Sequence, residues 1–349
     1  MKVALVKQQL DVFGPWAGVR WQDTSPAEIF EVWPGKAVYW ELTCLLKADW
    51  YIVPTAIEGE YLQDAVRKHP GRADLIARNT RNITEVEAIP LEDYDLVISF
   101  DAILDVPPSL PNVFAYYVQE HWDSLYTYSL SKPVPGYDLF LAHMMDAQSE
   151  LQSLPQAVSF PYPHDLELVR SLFHPPRQEA AWVDWRVPIT LANCGLGASW
   201  SPEAEAALER LRHVLDLDVR CRTGSHSISY SISATPTWGD AAYYYRELAE
   251  CRYYIAVGRL AGAGQGLADA AALGCLCVGQ ADRPYHRLLC HPSCLCEDMA
   301  QMPSRLRALR GSPELQQEVL AWQDQNLRMH FHDAPLAVLA RATEQKRKS

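Results

Sequence analysis

The sequence predicts an α/β protein of two domains, each built on a parallel sheet. Three observations predict it. At 349 residues the chain exceeds the size at which one hydrophobic core usually stops growing. Short apolar runs of strand length alternate with longer amphipathic stretches, which implies crossover units and parallel strands. That alternation occurs twice, on either side of a proline-rich break.

The first set of strands is expected at KVALV (2–6), WYIVP (50–54), DLVISF (95–100), NVFAYYV (112–118) and DLFLA (138–142). Helix-like segments such as AVYWELTCLLKA and GEYLQDAVRKH lie between several of them. Pro161, Pro163, Pro175 and Pro176 then interrupt the pattern, because proline breaks both helix and central strand. Alternation resumes with RVPITLANCG (186–195), a helix opened by Ser201-Pro202-Glu203, the strand LDVRCR, and YYYRELAECRYYIAVG. Residues 303–346 read as helical, interrupted at Gly311-Ser312-Pro313 and at Ala334-Pro335. The expected division is an N-terminal domain over 1–160, a linker over 161–184, a second domain over 185–312, and C-terminal helices over 313–349.

Composition narrows the function. With 48% apolar and 21% charged residues the chain reads as a soluble globular protein, and its formal net charge of −12 argues against a general nucleic-acid binder. The N-terminus, MKVALVKQQLD, has too short an apolar run for a signal peptide, and no stretch reaches the roughly 20 apolar residues of a membrane span. A cytoplasmic protein is expected. Nine cysteines, an odd number, suggest reduced thiols. Cys275, Cys277, Cys290, Cys294 and Cys296 lie close together, but their spacing does not match paired Cx2C zinc ligands, and Cys275 and Cys277 sit in an apolar run that reads as a buried strand.

The most informative stretch is YYIAVGRLAGAGQGLADAAALGCLCVG, residues 253–279. A strand runs into Gly258 and Arg259, then Gly262, Gly264 and Gly266, and a helix is expected to begin near residue 266. Glycines let backbone approach a ligand closely, and the free N–H groups of a helix N-terminus favour an anion. Arg259 adds charge-assisted bonds. A phosphate or diphosphate is the simplest ligand. Asp269, one turn into the helix, either accepts hydrogen bonds from a ribose diol or is simply an acidic residue favoured near a helix start. The stretch fits neither a GxGxxG dinucleotide fingerprint, since Leu267 stands at the third glycine, nor a Walker loop, since no GK[ST] follows.

GQGLADAAALGCLCVG resembles the donor-nucleotide element of GT-B fold glycosyltransferases, in which a glycine turn leads into an E-A-x-A-x-G helix and a buried strand. The resemblance implies two Rossmann-like domains with parallel sheets facing a cleft, and transfer of a sugar from a nucleotide-diphosphate sugar to an acceptor hydroxyl. It places Asp269 at the family's ribose-binding Glu and Gly266 in the turn. Two departures stand out: Ala261 occupies the position of a second, sugar-contacting Glu, and the loop NCGLGASW lacks the family's Arg and Lys pair. Arg222, Arg259 or helix dipoles would then balance the diphosphate.

On the acceptor side the resemblance points to His121, which follows NVFAYYV beside Glu120. His121, Glu120 and Asp11 are the candidate bases for an inverting reaction, and His121 equally suits a satisfied surface position. Gly14, Trp16, Arg20 and Trp21, in the segment after the first strand, supply an aromatic and polar lining suited to a sugar ring, though tryptophans also serve as core. No cofactor beyond the nucleotide-sugar co-substrate is expected, and no metal. Asp216-Leu217-Asp218 resembles a DxD motif but reads as a connector. The alternatives are a degenerate GT-B protein that binds a nucleotide or a partner, and a sugar-nucleotide epimerase or a phosphorylase of the same fold.

Overall fold

A computed structural model describes residues 1–7, 42–43, 45–52, 88–100, 104, 110–118, 136–142, 156–161, 165–184, 212–221, 241–256 and 265–348. The chain divides into two compact units, Met1–Asp165 together with His332–Ser349, and Leu166–Phe331.

In the first unit six strands, β1 (Val3–Lys7), β2 (Asp49–Ile52), β3 (Leu96–Phe100), β4 (Val113–Val118), β5 (Leu139–Ala142) and β6 (Ala157–Ser159), form one sheet in the order β2-β1-β3-β4-β5-β6. Every pairing is parallel. All five residues of β3 are buried, as befits a central strand covered on both faces. The apolar runs were legible for this reason. Strand β6 was not expected: it is short and half-exposed, ends next to the proline break, and has no continuous apolar signal. The buried rings of Phe100, Tyr116, Tyr117, Phe140 and Phe160 fill the layers beside the sheet.

The second unit opens with α1 (Leu166–Leu172) and among the described residues has five strands: β7 (Gln178–Asp184), β8 (Asp218–Cys221), β9 (Cys251–Ala256), β10 (Leu276–Gln280) and β11 (Leu295–Cys296). Their order, β11-β10-β9-β7-β8, repeats the strand order of the first sheet, and all pairings are again parallel. Among the described residues the unit also holds helices α2 (Ala241–Glu250), α3 (Gln265–Ala272), α4 (Pro284–Leu289), α5 (Met302–Gly311) and α6 (Pro313–Arg328). The two parallel α/β sheets expected from the sequence are therefore present.

The expected boundaries need correction. The stretch taken as a linker, 161–184, holds α1 and the central strand β7. Its Gln-Glu-Ala-Ala start carries little strand propensity, and the prolines before it masked a strand that begins two residues later. The strand expected at 186–195 lies outside the described residues. Helix α6, expected to leave the second domain, stays in it and packs on α3 and α4. Ser312 caps α6, its Oγ accepting the Leu315 N–H at 3.1 Å with Pro313 at the first helical position. At Ala334-Pro335 the helical path continues, through a π turn over Met329–Asp333 that absorbs a proline unable to donate.

Of the helices near the C-terminus, α7 (Ala334–Lys348) belongs with the first unit. Lys346 Nζ lies 2.8 Å from Asp138 and Arg347 2.5 Å from Asp95, whose other oxygen accepts the Lys2 N–H at 2.7 Å. The Arg347 guanidinium and the Lys2 amide hold the Asp95 carboxyl below the ordinary carboxylate range. A depressed folded value gives stability that is present above the unfolded value, near 4, and disappears as pH falls through the folded one. The melting-temperature advantage of wild type over Asp95→Asn is therefore expected to shrink below about pH 4. An advantage that stays constant from pH 7 to 3 in thermal melts would contradict this.

Candidate functional site

In an open parallel sheet, ligands bind outside the carboxyl ends of the strands where the strand order reverses. In the second unit that point falls between β7 and β9. Asp184 and Ala256, the last residues of these strands, are register partners. The segments that leave the two strands therefore start side by side. One begins at residue 185 and includes NCGLGASW; the other begins at Val257 and carries Gly258, Arg259, Gly262 and Gly264. Those four residues, and Arg222 one residue beyond the end of β8, lie outside the described residues.

Helix α3 begins at Gln265, close to the expected start, with Gly266 half-exposed in its first turn. The helix is short and alanine-rich because it packs tightly: Leu267, Ala268, Ala270, Ala271 and Ala272 are all buried. It ends in a Schellman motif. Gly274 takes φ +77°, its N–H bonds Ala271 O at 2.9 Å, and Cys275 N–H bonds Ala270 O at 2.8 Å. The Arg177 guanidinium covers this end, donating to Leu273 O and, at 2.9 Å, to Cys251 O.

Asp269 is fully buried in this helix. The Tyr245 hydroxyl, on α2, donates to Asp269 Oδ1 at 3.1 Å, and the Tyr245 ring stacks on Phe173 with centroids 5.2 Å apart. The sequence suggested a carboxylate flanking an anion; the structure instead makes it an internal hydrogen-bonded group tying α2 to α3. Tyr245, Phe173 and Arg177 carried no motif, and only the amphipathic pattern of YYYRELAE hinted that Tyr245 points inward.

The opposite, amino edge of the same sheet is occupied by ion pairs. Glu179 meets Arg252 and Arg310, each at 3.3 Å, and accepts the Tyr253 hydroxyl at 2.8 Å. Arg220 meets Glu250 at 2.8 Å and Glu247 at 3.5 Å. An open depression of about 400 Å³, lined by Glu179, Arg212, His213, Asp216, Leu217 and Asp218, lies there too. Asp216 closes a helix in the left-handed region at φ 52°, and Asp218 opens β8. Asp216-Leu217-Asp218 is thus a connector at the edge away from the switch point.

Cys275, Cys277, Cys290, Cys294 and Cys296 are buried free thiols, as is Cys251. Burial pushes each of them up, Cys251 and Cys294 to about 12. Cys275 Sγ donates to Leu248 O and Cys277 Sγ to Cys275 O, each at 3.4 Å. Among the described residues no group of three or more His, Cys, Asp or Glu is placed to hold a metal, and no helix is long and apolar enough to cross a membrane.

In the first sheet the reversal falls between β1 and β3, whose last residues, Lys7 and Phe100, are register partners. The chain leaves β1 toward Asp11, Gly14, Trp16, Arg20 and Trp21, and leaves β4 at Val118 toward Glu120 and His121. All seven lie outside the described residues. Their strands end at one carboxyl edge, with β3 between them, so the two departure points stand about 10 Å apart.

No protein-family model and no curated protein matches the sequence. Solved structures do. The chain is similar over its full length to T4 phage BGT in complex with its UDP-glucose substrate (10% identity, 99% of that chain, TM-score 0.45). It is likewise similar to Anabaena Alr3699/HepE in complex with UDP (10% identity, all of both chains, TM-score 0.46). A glycosyltransferase from Rickettsia africae ESF-5 is matched over 99% of this chain and 98% of that one, at 11% identity and a TM-score of 0.47. The architecture stands on the strand order.

Proposed function

We propose that the chain is a glycosyltransferase that moves a sugar from a nucleotide-diphosphate sugar to an acceptor hydroxyl without a metal. The observation that carries this reading is the pairing of Asp184 with Ala256 at the switch point, from which a glycine-rich segment bearing Arg259 runs into α3. Glycosyl transfer needs its leaving diphosphate stabilised and its acceptor hydroxyl positioned. The N–H groups around the glycine turn, with Gly262, Gly264, Gly266, Arg259 and Arg222, take the first task, and Asp269 serves it from behind by fixing α3 through Tyr245. The second task falls to the carboxyl edge of the first sheet. There Trp16, Trp21, Gly14 and Arg20 face the acceptor, and His121, Glu120 or Asp11 takes the proton if the anomeric centre inverts. The protein would work in the cytoplasm, with a glycan or other hydroxyl compound as acceptor.

The test is a thermal-shift panel of UDP, GDP, dTDP, CMP and ADP, their sugar conjugates and NAD, on wild type and Arg259→Gln. A ligand at about 100 times its dissociation constant is expected to add about 2.7 kcal/mol to wild type and much less to the variant. No response from any nucleotide at millimolar concentration would make the glycine turn structural and end the donor reading.

A further inference from the structure

We infer that the turn after β10 is a second part of the donor site, with Arg283 contacting a phosphoryl oxygen and Gln280 an adjacent sugar hydroxyl. The inference rests on the donor reading above and extends it to residues that carried no motif in the sequence.

Strand β10 runs beside β9, with Val278 opposite Ile255, so Gln280 ends the strand one spacing from the point where the glycine segment departs. The chain then folds back on that end. Arg283 N–H bonds Gln280 O at 3.3 Å, and Ala281 N–H bonds Cys296 O at 2.9 Å. His286 locks the turn: its Nδ1 accepts the Gln280 N–H at 2.9 Å. The ring sits so close over the strand that a Cβ on Gly279 would lie 2.9 Å from Nδ1. Tyr285 packs on Phe331 with centroids 5.9 Å apart, fixing the outer side. The result is a braced turn at the carboxyl edge.

Two polar atoms in it are buried without a hydrogen-bond partner, Gln280 Oε1 and Arg283 Nε. One is an acceptor and the other a donor, yet they are not bonded to each other. Buried unsatisfied groups are rare in folded proteins, and each asks for an explanation. Among the described residues Arg283 Nε meets the exposed Asp282 in an ion pair at 3.7 Å, beyond hydrogen-bond range. By contrast Arg177, Arg220, Arg252 and Arg310 are committed to carbonyls and carboxylates around the amino edge. Arg283 is a cation held at the edge where the diphosphate must be balanced, in a chain whose NCGLGASW loop supplies none. The Arg283 side chain keeps 30% of its surface open, so its outer guanidinium nitrogens are the part that a phosphoryl oxygen can reach, and Gln280, also partly exposed, stands at the same turn.

Titration calorimetry tests this with UDP, GDP, ADP, their sugar conjugates and inorganic pyrophosphate on wild type, Arg283→Gln, Arg283→Lys and Gln280→Leu. Arg283→Gln is expected to weaken the preferred nucleoside diphosphate by about ten- to a hundredfold and to flatten the salt dependence of binding. Arg283→Lys, which keeps the charge, should recover part of the loss, a pattern that mere damage to the fold would not produce. Gln280→Leu should spare the free diphosphate and weaken its sugar conjugate. If wild type binds a nucleotide and Arg283→Gln binds it within twofold, the inference is wrong and the donor reading survives. If wild type binds pyrophosphate but no nucleotide, the donor reading fails and Arg283 is still judged on pyrophosphate. If wild type binds none of the probes, both fall.

Discussion

Replacing Gln323 by leucine is expected to destabilise the second unit by about 2 to 4 kcal/mol. Strand β10 lies between β9 and β11, but β11 spans only two residues and pairs with β10 at Gly279 and Gln280. The stretch of β10 before that pairing would have a bare edge, and Gln323 of α6 fills it. Its Nε2 donates to Cys275 O at 2.7 Å and its Oε1 accepts the Cys277 N–H at 3.1 Å, so one side chain replaces two ladder bonds. The residue is 1% exposed, and no water can take over. Leucine keeps the volume, leaves the buried Cys277 N–H without a partner and leaves the Cys275 C=O with only the weak Cys277 thiol, at about 1 to 3 kcal/mol for each group. For a unit of this size the melting temperature should fall by roughly 5 to 15 °C. Urea unfolding would show a lower midpoint with an unchanged slope. A loss under about 0.5 kcal/mol would mean that another group reaches these backbone atoms.

Gly279→Ala is expected to cost about 1 to 3 kcal/mol by overpacking. The added methyl would sit 2.8 Å from Cys290 Sγ and 2.9 Å from His286 Nδ1. Neither neighbour yields easily: Cys290 is fully buried, and the imidazole is pinned by the Gln280 amide. The change should show twice, as a lower melting temperature and as an upfield or downfield displacement of the His286 ring resonances in NMR spectra. Gly311→Ala serves as the control, because nothing lies within 4 Å of the added atom there. Equal stability of the two variants would show that α4 slides outward at no cost.

These two positions also show where sequence reading stops. Strands such as Leu96–Phe100 were legible because a parallel strand buried on both faces must be continuously apolar. The start of α3 was legible because glycines followed by an alanine-rich run leave few alternatives. Gln323, by contrast, looks like any polar residue on an amphipathic helix, since nothing local records that a neighbouring strand is too short. Strand β7 was hidden because its partners on either side, β8 and β9, come later in the chain. The place of Asp269 was legible and its environment was not: its hydrogen-bond partner Tyr245 is stacked on Phe173, far away in sequence. Arg283 was passed over because arginines are usually solvated, and only the tertiary structure shows its Nε without an acceptor.

The two units differ in how the chain supplies them, and this bears on synthesis. The second is made from one unbroken stretch, so all its parts leave the ribosome in succession and can fold as a unit. The first is interrupted by the whole of the second. Arg347 and Asp95 are 252 residues apart, and Lys346 and Asp138 are 208 apart. Contacts of such long range are slow to form. The first sheet must therefore wait, one helix short, until its neighbour has been translated, and during that interval the surface meant for α7 is open to chaperones.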